Sequence, residues 1–340
     1  MTVVNNRTET NPAITPRLQS ETYWRGVVYP TRWAQWSTLS RQLTGRIQTR
    51  LIETFMKLRR PPAMSSHRVA CLPVAWSLLL GAVLSVHAED VIVQVGVSDS
   101  VHSTRLNENR ALIVYLPPGH ESSGHSYPVL YLLDGNRDAM LEALAATGSL
   151  ERNKFMPEII VVGIANVDRD RDMMPLSTKQ YTVPKPGAEA FLGFIGDELV
   201  PYIDQKYRTR GPRLLCGKSL SGLFVLYAFL TKPALFDAYI GRSAGWLGDM
   251  NDYFTGLTER AFQRPQDYEG KAVFMSNSLM DIYDPDKVVH RQMLVFSDRV
   301  RKQLGDAVRY QYATYDSYPH VPYPSLYDGL KFVFQSPVKK

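Results

Sequence analysis

Strongly apolar runs alternate with segments of helical spacing after residue 90, and this alternation constrains the fold more than any other feature of the chain. Residues 127–135 (YPVLYLLDG) and 158–166 (EIIVVGIAN) are apolar almost throughout, which is typical of strands buried on both faces. Amphipathic helical spacing is found at 137–150 and 187–207. Strands that alternate with helices predict an α/β fold, in which a mostly parallel sheet carries helices on both faces.

The same alternation continues to the end of the sequence. Further strands are predicted at 91–97, 111–116, 212–216, 236–244, 271–281 and 309–319, and further helices at 223–230, 287–304 and 324–334. We therefore interpret residues 89–340 as one domain of roughly 250 residues, a size that a single hydrophobic core can support.

The formal net charge of +6 belongs to the N-terminal part of the chain. The first 88 residues hold 11 of the 39 Lys and Arg side chains but only three of the 33 Asp and Glu side chains. The rest of the chain is therefore close to neutral and offers little electrostatic attraction for a polyanion. We expect no nucleic-acid partner, and the sequence does not indicate an oligomeric state.

Residues 64–88 have the layout of a secretory signal peptide. Arg68 supplies a short basic region, an apolar run follows, and Val86 and Ala88 place small residues before a cleavage point. We expect cleavage there and a periplasmic or secreted protein. The alternative is an uncleaved membrane anchor at 69–88, because this run is just long enough to span a bilayer. Only in that case do we expect contact with a membrane.

Residues 1–63 form a leader of uncertain status, because a signal peptide normally starts a chain. We expect the true start at Met64 or Met56 and interpret the residues upstream as an over-extended reading. Cys71 would leave with the signal peptide. Cys216 would then have no partner for an intramolecular disulfide.

A short glycine-rich turn at 217–222 (GKSLSG) lies between an apolar strand and an apolar helix. It approximates the nucleophile-elbow pattern G-x-S-x-G, with Ser221 in place of the second glycine, and the elbow needs small residues because strand and helix pass close together. We predict Ser219 as a nucleophile and the Leu220 backbone N–H as an oxyanion donor. The alternative is a structural serine in a glycine-rich bend.

A second oxyanion donor of such an elbow comes from the loop after an earlier strand. In this chain that loop is Asp134-Gly135-Asn136. We predict Gly135 and Asn136 as its oxyanion residues, and the alternative is an ordinary Asp-Gly turn.

The general base is expected downstream of the nucleophile, because the chain order of this arrangement is Ser, acid, His. Two histidines follow Ser219. His290 lies within a predicted helix, where a structural histidine is the simpler interpretation. His320 lies in the loop between the last strand and the last helix, which is where the base is needed, so we predict His320 as the base.

The acid that orients the base is expected after the apolar strand stretch at 271–278 (KAVFMSNS). Asp281 and Asp284 both occur there, and we prefer Asp281 because Asp284 precedes a proline and is typical of a turn. Asp316 is a third candidate, disfavoured because it lies so close to His320 along the chain.

Two other features bear on ligands. The charged loop at 166–175 (NVDRDRDMMP) follows a buried strand and is interpreted either as a ligand-binding loop or as a solvated charge cluster. The seven histidines are scattered, and no phosphate-binding or zinc-binding motif is found, so we predict no metal and no cofactor.

From about Asp90 to Phe334 the chain resembles α/β-hydrolase esterases of the esterase D and enterochelin-esterase type. The resemblance lies in VYLPPGHESSGHSYPVLYLLDGN, PEIIVVGIANVDRDRDMMP, VPYIDQKYRT, CGKSLSGLFVLYAFL, FDAYIGRSAGW and VPYPSLYDGLKFVF. It implies an α/β-hydrolase fold and a serine hydrolase that acts on small carboxylic esters or thioesters without a cofactor. It carries Ser219 over as the nucleophile and Gly135–Asn136 as part of the oxyanion region.

The chain departs from this family at two positions. Lys218 stands where the family usually has His or another tolerated residue, and a cation there could alter the preferred substrate charge. The family's base commonly lies three residues before the Val-Pro pair, and that position is Tyr318, whereas His320 adjoins Val321. Either His320 serves from a remodelled loop, or the protein is a binding protein on the same scaffold whose base is displaced.

Overall fold

The computed structural model describes residues 93–179, 181–244 and 247–335. The predicted leader and the predicted signal peptide or membrane anchor lie outside the described residues. Among the residues described, no helix is both long enough and apolar enough to cross a membrane.

Eight strands form one sheet in the described part of the chain, in the order β1-β2-β4-β3-β5-β6-β7-β8. β1 and β2 pair antiparallel, as do β2 and β4, and every other neighbouring pair is parallel. The strands are β1 Val97–Ser103, β2 Glu108–Tyr115, β3 Tyr127–Leu132, β4 Ile160–Ile164, β5 Thr209–Lys218, β6 Ala238–Arg242, β7 Lys271–Ser278 and β8 Val308–Tyr315.

Nine α-helices connect or flank these strands in the residues described. They are α1 His120–Ser123, α2 Arg137–Arg152, α3 Arg169–Met173, α4 Ala188–Phe194, α5 Val200–Lys206, α6 Leu220–Thr231, α7 Asn251–Ala261, α8 Val288–Arg299 and α9 Pro324–Phe334. One π-helical turn, Ile195–Leu199, joins α4 to α5, and another, Val300–Leu304, extends α8.

The core lies on both faces of the sheet. α4, α5, α6, α7 and α8 pack on one face, and α2 and α9 pack on the other. Every residue of β3, β4 and β6 is buried, as expected of strands covered on both sides. α6 is buried from Leu220 to Leu230 because it lies between the sheet and the outer helices. The predicted α/β class, with a mostly parallel sheet between helical layers, is confirmed.

Two local predictions are corrected by the structure, and one helix was not predicted. The first strand is predicted at 91–97, but the described residues 93–96 form no strand, and pairing with β2 begins at Val97. Helix α7, at Asn251–Ala261, was not predicted from the sequence. The helix predicted at 187–207 is interrupted by the π-helical turn, next to Pro201, which has no N–H for the helical ladder.

The topology brings several loops to one edge of the sheet. The carboxyl ends of parallel strands meet at the same edge, so the loops after β3, β4, β5, β6, β7 and β8 converge there. All of the residues predicted for the site lie in or beside these loops.

Candidate active site

Ser219 lies at the sharp turn between β5 and α6 with φ 56° and ψ −122°. Residues other than glycine rarely adopt this conformation, and the turn holds the serine in a strained backbone typical of a nucleophile elbow. The Ser219 N–H donates to the Arg242 carbonyl oxygen at 2.8 Å, which fixes the turn to the end of β6.

Two glycines make the turn possible. A Cβ atom on Gly217 would lie 2.3 Å from the Ser221 carbonyl oxygen, and one on Gly222 would lie 2.7 Å from the Arg242 carbonyl oxygen. Both positions therefore exclude a side chain. Ser221, which replaces the second glycine of the usual pattern, tolerates a Cβ and is fully buried.

The Ser221 hydroxyl connects the turn to the loop after β3. Ser221 Oγ accepts from the Lys218 N–H at 2.8 Å and lies 2.8 Å from Asp134 Oδ2 and 2.9 Å from the Lys218 carbonyl oxygen. A hydroxyl has one proton to donate, and a carboxylate is the stronger acceptor. The Ser221 hydroxyl therefore donates its hydrogen bond to the Asp134 carboxylate.

Asp134 is buried and carries three further hydrogen bonds. Arg169 donates from Nε to Oδ1 at 2.7 Å and from the terminal nitrogen to Oδ2 at 2.8 Å, and Asn166 donates to Oδ1 at 2.7 Å. Burial alone would raise the pKa of Asp134, but the hydrogen bonds from Arg169, Asn166 and Ser221 and the Arg169 charge outweigh it and lower that pKa. Asp134 is therefore held as a carboxylate.

Sequence reasoning did not identify this arrangement. The loop at 166–175 was interpreted as either a ligand loop or a solvated charge cluster. Instead, Arg169 reaches the adjacent loop after β3, Asp168 caps α3 through the Arg171 N–H, and Arg171 pairs with Asp172 at 2.7 Å. The sequence signal for these ion pairs is the alternation of acidic and basic residues directly after a buried strand.

His320 and Asp281 are brought together by the loops after β8 and β7. His320 Nδ1 lies 2.8 Å from Asp281 Oδ2, and the Tyr283 N–H donates to Asp281 Oδ1 at 2.9 Å. The Asp281 side chain is 6% exposed and the His320 side chain is 23% exposed. A carboxylate in this position orients the imidazole ring and favours the tautomer with the proton on Nδ1.

Arg242 and Ser243 connect the histidine loop to the serine turn. The Arg242 carbonyl accepts the Ser219 N–H, and the Ser243 hydroxyl donates to the His320 carbonyl oxygen at 3.2 Å. Both loops are thus anchored on two consecutive residues at the end of β6. Among the described residues no hydrogen bond joins Ser219 Oγ to His320, and such bonds are often long before substrate binds.

Other contacts engage Tyr318, which stands at the family position of the base, and His290, the other downstream histidine. The Tyr318 carbonyl accepts from the Ser278 hydroxyl, and the Tyr318 ring packs edge-on against Tyr315 at 6.3 Å. His290 Nδ1 lies 2.9 Å from the Tyr312 hydroxyl, where α8 faces β8.

The alternative acids also have local contacts. Asp284 accepts the Val288 N–H at 2.6 Å and the His290 N–H at 3.2 Å, so it caps the start of α8. Asp316 accepts from the neighbouring Ser317 hydroxyl at 3.0 Å. Of the three carboxylates considered, Asp281 is the one hydrogen-bonded to His320.

The predicted oxyanion residues lie beside the elbow. The Leu220 N–H is the first amide of α6, and the first amides of a helix have no intrahelical acceptor. The Gly135 N–H donates to the Ile164 carbonyl at 2.8 Å, and the Asn136 N–H donates to the Asp134 carbonyl at 2.7 Å. The second of these bonds spans two residues, as in a γ-turn, and it is the only one of the two that lies within the loop itself.

Comparison with known proteins identifies the family. The sequence model of the family described as "Putative esterase" matches residues 103–271. This stretch of the chain belongs to the esterase family. It contains the elbow and the loop after β3, while His320 and Asp281 lie beyond its end.

Two curated relatives are similar to part of this chain. Ferri-bacillibactin esterase BesA of Bacillus subtilis is 33% identical over 181 residues, 45% of this chain and 62% of BesA. The siderophore enterobactin esterase of Emericella nidulans is 33% identical over 148 residues, 36% of this chain and 48% of that protein. The chain thus spans less than two thirds of either relative.

A solved structure extends the likeness to the fold. The IroE-like serine hydrolase of Shewanella oneidensis has a TM-score of 0.63 and 29% identity, covering 70% of this chain and 79% of that one. With the sheet described above, this confirms the predicted α/β-hydrolase fold.

Lys218 adds a cation beside the elbow. Lys218 Nζ lies 3.6 Å from Glu142 Oε2, while the buried Arg242 guanidinium pairs with the other oxygen of Glu142 and donates to Ser325 Oγ at 2.8 Å. Two cations share one carboxylate, so one positive charge is left uncompensated next to the nucleophile. In the described residues, no group of three or more His, Cys, Asp or Glu side chains is arranged to hold a metal ion.

Proposed function

We propose that the protein is a serine esterase that hydrolyses carboxylic esters through an acyl-enzyme. The observation that carries the proposal is the His320–Asp281 hydrogen bond of 2.8 Å at the sheet edge where Ser219 occupies a strained elbow. These residue types in this chain order are those of a serine-hydrolase triad. The family match and the named esterase relatives support the same reaction.

In the proposed first step, Ser219 Oγ attacks the ester carbonyl carbon while His320 Nε2 removes the hydroxyl proton. His320 then returns that proton to the leaving alkoxide as the C–O bond breaks, which leaves an acyl group on Ser219. In the second step His320 removes a proton from water, the hydroxide attacks the acyl carbonyl, and the carboxylic acid leaves as Ser219 regains its proton. Asp281 stabilises the imidazolium that forms in both steps.

The proposed oxyanion donors are the Leu220 N–H and the Asn136 N–H. Leu220 offers the free first amide of a helix, where the helix dipole also favours negative charge. The Asn136 amide must exchange its turn hydrogen bond to Asp134 for the oxyanion. Gly135 contributes by its lack of a side chain, since a Cβ there would lie 2.2 Å from the Ile164 nitrogen.

The rival proposal, a binding protein with a displaced base, is not favoured. It needs His320 to be turned away from the site and Tyr318 to occupy its place. His320 instead holds the buried Asp281 carboxylate, and the Tyr318 ring contacts Tyr315.

The names of the relatives indicate a substrate class to test first. BesA and the Emericella nidulans protein are named as esterases of siderophores, which suggests siderophore esters as substrates of this chain. Lys218 and Arg242 carry two positive charges against the single Glu142 carboxylate, which favours an anionic substrate. Thioesters are open to the same acyl transfer and form the second class.

Hydrolysis assays with matched variants test the proposal. The purified protein is given p-nitrophenyl acetate and butyrate, a catecholate trilactone with and without iron, and an acyl thioester. We expect release of product from at least one of them and loss of that activity in Ser219→Ala and His320→Ala. Wild-type activity that survives Ser219→Ala would refute the mechanism.

We further propose that the protein is exported, with cleavage after Ala88. The support is the signal-like sequence at 64–88, which lies outside the described residues. N-terminal sequencing of the mature protein should begin at Glu89. A mature protein that retains residues upstream of Met56 would contradict both the cleavage and the expected start.

A further inference from the structure

We propose that Ser221, Asp134, Arg169 and Asn166 form a positioning network that sets the distance between the two oxyanion donors. The inference rests on the esterase function proposed above, and it concerns residues that do not contact the substrate. It also gives a chemical role to Ser221, the residue that departs from the usual elbow pattern. We refer to these four residues as the Asp134 network.

The network joins the two loops that carry the donors. Asp134 directly precedes Gly135 and Asn136, and Ser221 directly follows Leu220. The 2.8 Å hydrogen bond between Ser221 Oγ and Asp134 Oδ2 therefore links residues that are each one or two positions away from a donor amide. A glycine at position 221, as in the usual pattern, would provide no such link.

Arg169 braces the same two loops from a third one. Its guanidinium binds both carboxylate oxygens of Asp134, and its terminal nitrogen also lies 3.4 Å from the Lys218 carbonyl oxygen. The planar guanidinium gives this contact a fixed geometry that a lysine could not reproduce. The loops after β3, β4 and β5 are thereby held in one arrangement.

Backbone strain explains why such bracing is needed. Asp134 has φ 54° and Ser219 has φ 56°, so both donor loops contain a residue other than glycine in the left-handed region. Such conformations cost about 1–3 kcal/mol each and persist where the surroundings fix them. The hydrogen bonds of Ser221 and Arg169 lie directly on these two strained turns.

Ser221 and Asp134 are also placed so that each needs the other. Ser221 is fully buried and Asp134 is 8% exposed. Without the Ser221 hydroxyl, Asp134 Oδ2 keeps only its Arg169 donor among the described residues, and the Lys218 N–H loses its acceptor. Removal of the Ser221 hydroxyl should therefore shift the Asp134 loop, and with it the Asn136 amide.

Comparison of Ser221→Ala with Ser221→Gly separates the effect of the hydroxyl from that of the Cβ atom. We expect both to lower kcat by about 10- to 100-fold, because a displacement on the order of 1 Å at a catalytic group can cost about 100-fold. KM should stay within about twofold, since the ground-state ester does not use the displaced donor fully. Affinity for a phosphonate transition-state analogue should fall in parallel with kcat.

Ser297→Ala is the matched control. Ser297 is equally buried, and its hydroxyl donates to the Met293 carbonyl at 2.6 Å and contacts the Tyr310 hydroxyl at 2.7 Å, within the α8–β8 packing. It should lower thermal stability as Ser221→Ala does but leave kcat unchanged. All rates are expressed per active site, titrated with a fluorophosphonate, so that unfolded protein does not count.

Arg169→Lys tests the brace with the charge retained. It should lower kcat by about tenfold, with KM again little changed, because the two-point contact to Asp134 is lost. A wild-type kcat in Arg169→Lys would show that the fork geometry of the guanidinium is not needed and would contradict the brace.

The outcomes separate this inference from the proposed function. If Ser221→Ala has wild-type kcat per titrated site while Ser219→Ala is inactive, the positioning network is refuted and the esterase mechanism stands. If Ser219→Ala retains activity, the mechanism itself fails. If only Ser221→Gly loses activity, the Cβ atom and not the hydroxyl matters, and the inference is overturned.

Discussion

Replacement of Asp281 by asparagine is the most informative test of the proposed base. The amide side chain would keep the size of the carboxylate and could still accept the Tyr283 N–H, which now donates to Oδ1 at 2.9 Å. The substitution would remove the negative charge that lies 2.8 Å from His320 Nδ1. The amide could also donate to Nδ1 and so favour the wrong imidazole tautomer.

The size of the effect follows from the geometry. Opposite unit charges 2.8 Å apart attract each other by about 6 kcal/mol at an effective dielectric constant of about 20. In the proposed mechanism an imidazolium forms only as Ser219 is deprotonated, so this attraction is used in the transition state. At about 1.4 kcal/mol for each tenfold change in rate, its loss corresponds to about 10⁴-fold in kcat. Because an amide dipole replaces part of the attraction, we expect about 10³- to 10⁴-fold.

Steady-state hydrolysis of a p-nitrophenyl ester at a pH of about 7 to 8, near the working range of a histidine base, measures this change. The matched control is Asp284→Asn, because Asp284 caps α8 and does not touch His320. It should lower stability slightly and leave kcat near the wild-type value. A less than tenfold loss in Asp281→Asn, or an equal loss in Asp284→Asn, would refute the assignment of Asp281 as the acid.

Three further predictions concern groups outside the triad. Burial lowers the pKa of His120 below its ordinary value of 6.5, and neither ring nitrogen has a hydrogen-bond partner among the described residues, so the folded state binds fewer protons. Its contribution to stability should be complete above about pH 6.5 and decline below it, and His120→Phe should flatten this part of a plot of melting temperature against pH; an unchanged slope would contradict it. Burial raises the pKa of the Cys216 thiol to about 12, so Ellman's reagent should label it at about pH 8 only after denaturation, and rapid labelling of native protein would disprove the burial. Gly217→Ala would place a Cβ 2.3 Å from the Ser221 carbonyl oxygen and should cost about 1–3 kcal/mol of unfolding free energy together with most activity. The control is Gly256→Ala in α7, where the added Cβ meets only the end of the flexible Arg260 side chain at 3.4 Å; equal losses in the two variants would contradict the steric argument.

The fold was predictable because hydrophobic burial determines its strongest sequence signals. Runs such as 127–135 and 158–166 are apolar on both strand faces, and this pattern is typical of a sheet that helices cover on both sides. The start of the edge strand β1 was predicted wrongly, because an edge strand with polar residues lacks this apolar signal.

The candidate site was predictable where chain order and loop position suffice. Ser219 stands between an apolar strand and an apolar helix, and His320 stands in the loop before the last helix, whatever the details of packing. The choice of Asp281 over Asp284 rested on a proline, and it agrees with the hydrogen bonds that the two carboxylates make.

The Asp134 network could not be predicted, because it depends on the spatial order of the strands. Asp134 and Arg169 are 35 positions apart and meet only because β3 lies between β4 and β5 in the sheet. Local sequence contains no information on that order. The same holds for Arg242, whose side chain at the end of β6 meets Glu142 on α2 and Ser325 on α9.

The most direct test of the account is whether Ser219 becomes acylated during the first turnover. The protein is mixed with excess p-nitrophenyl ester and quenched within milliseconds. It is then digested with a protease, and the masses of the peptides are measured by mass spectrometry. We predict a burst of about one p-nitrophenolate per active site and an acyl group on the peptide that contains Ser219, with neither in Ser219→Ala. Hydrolysis by Ser219→Ala at the wild-type rate, or an acyl group on another residue, would contradict the account.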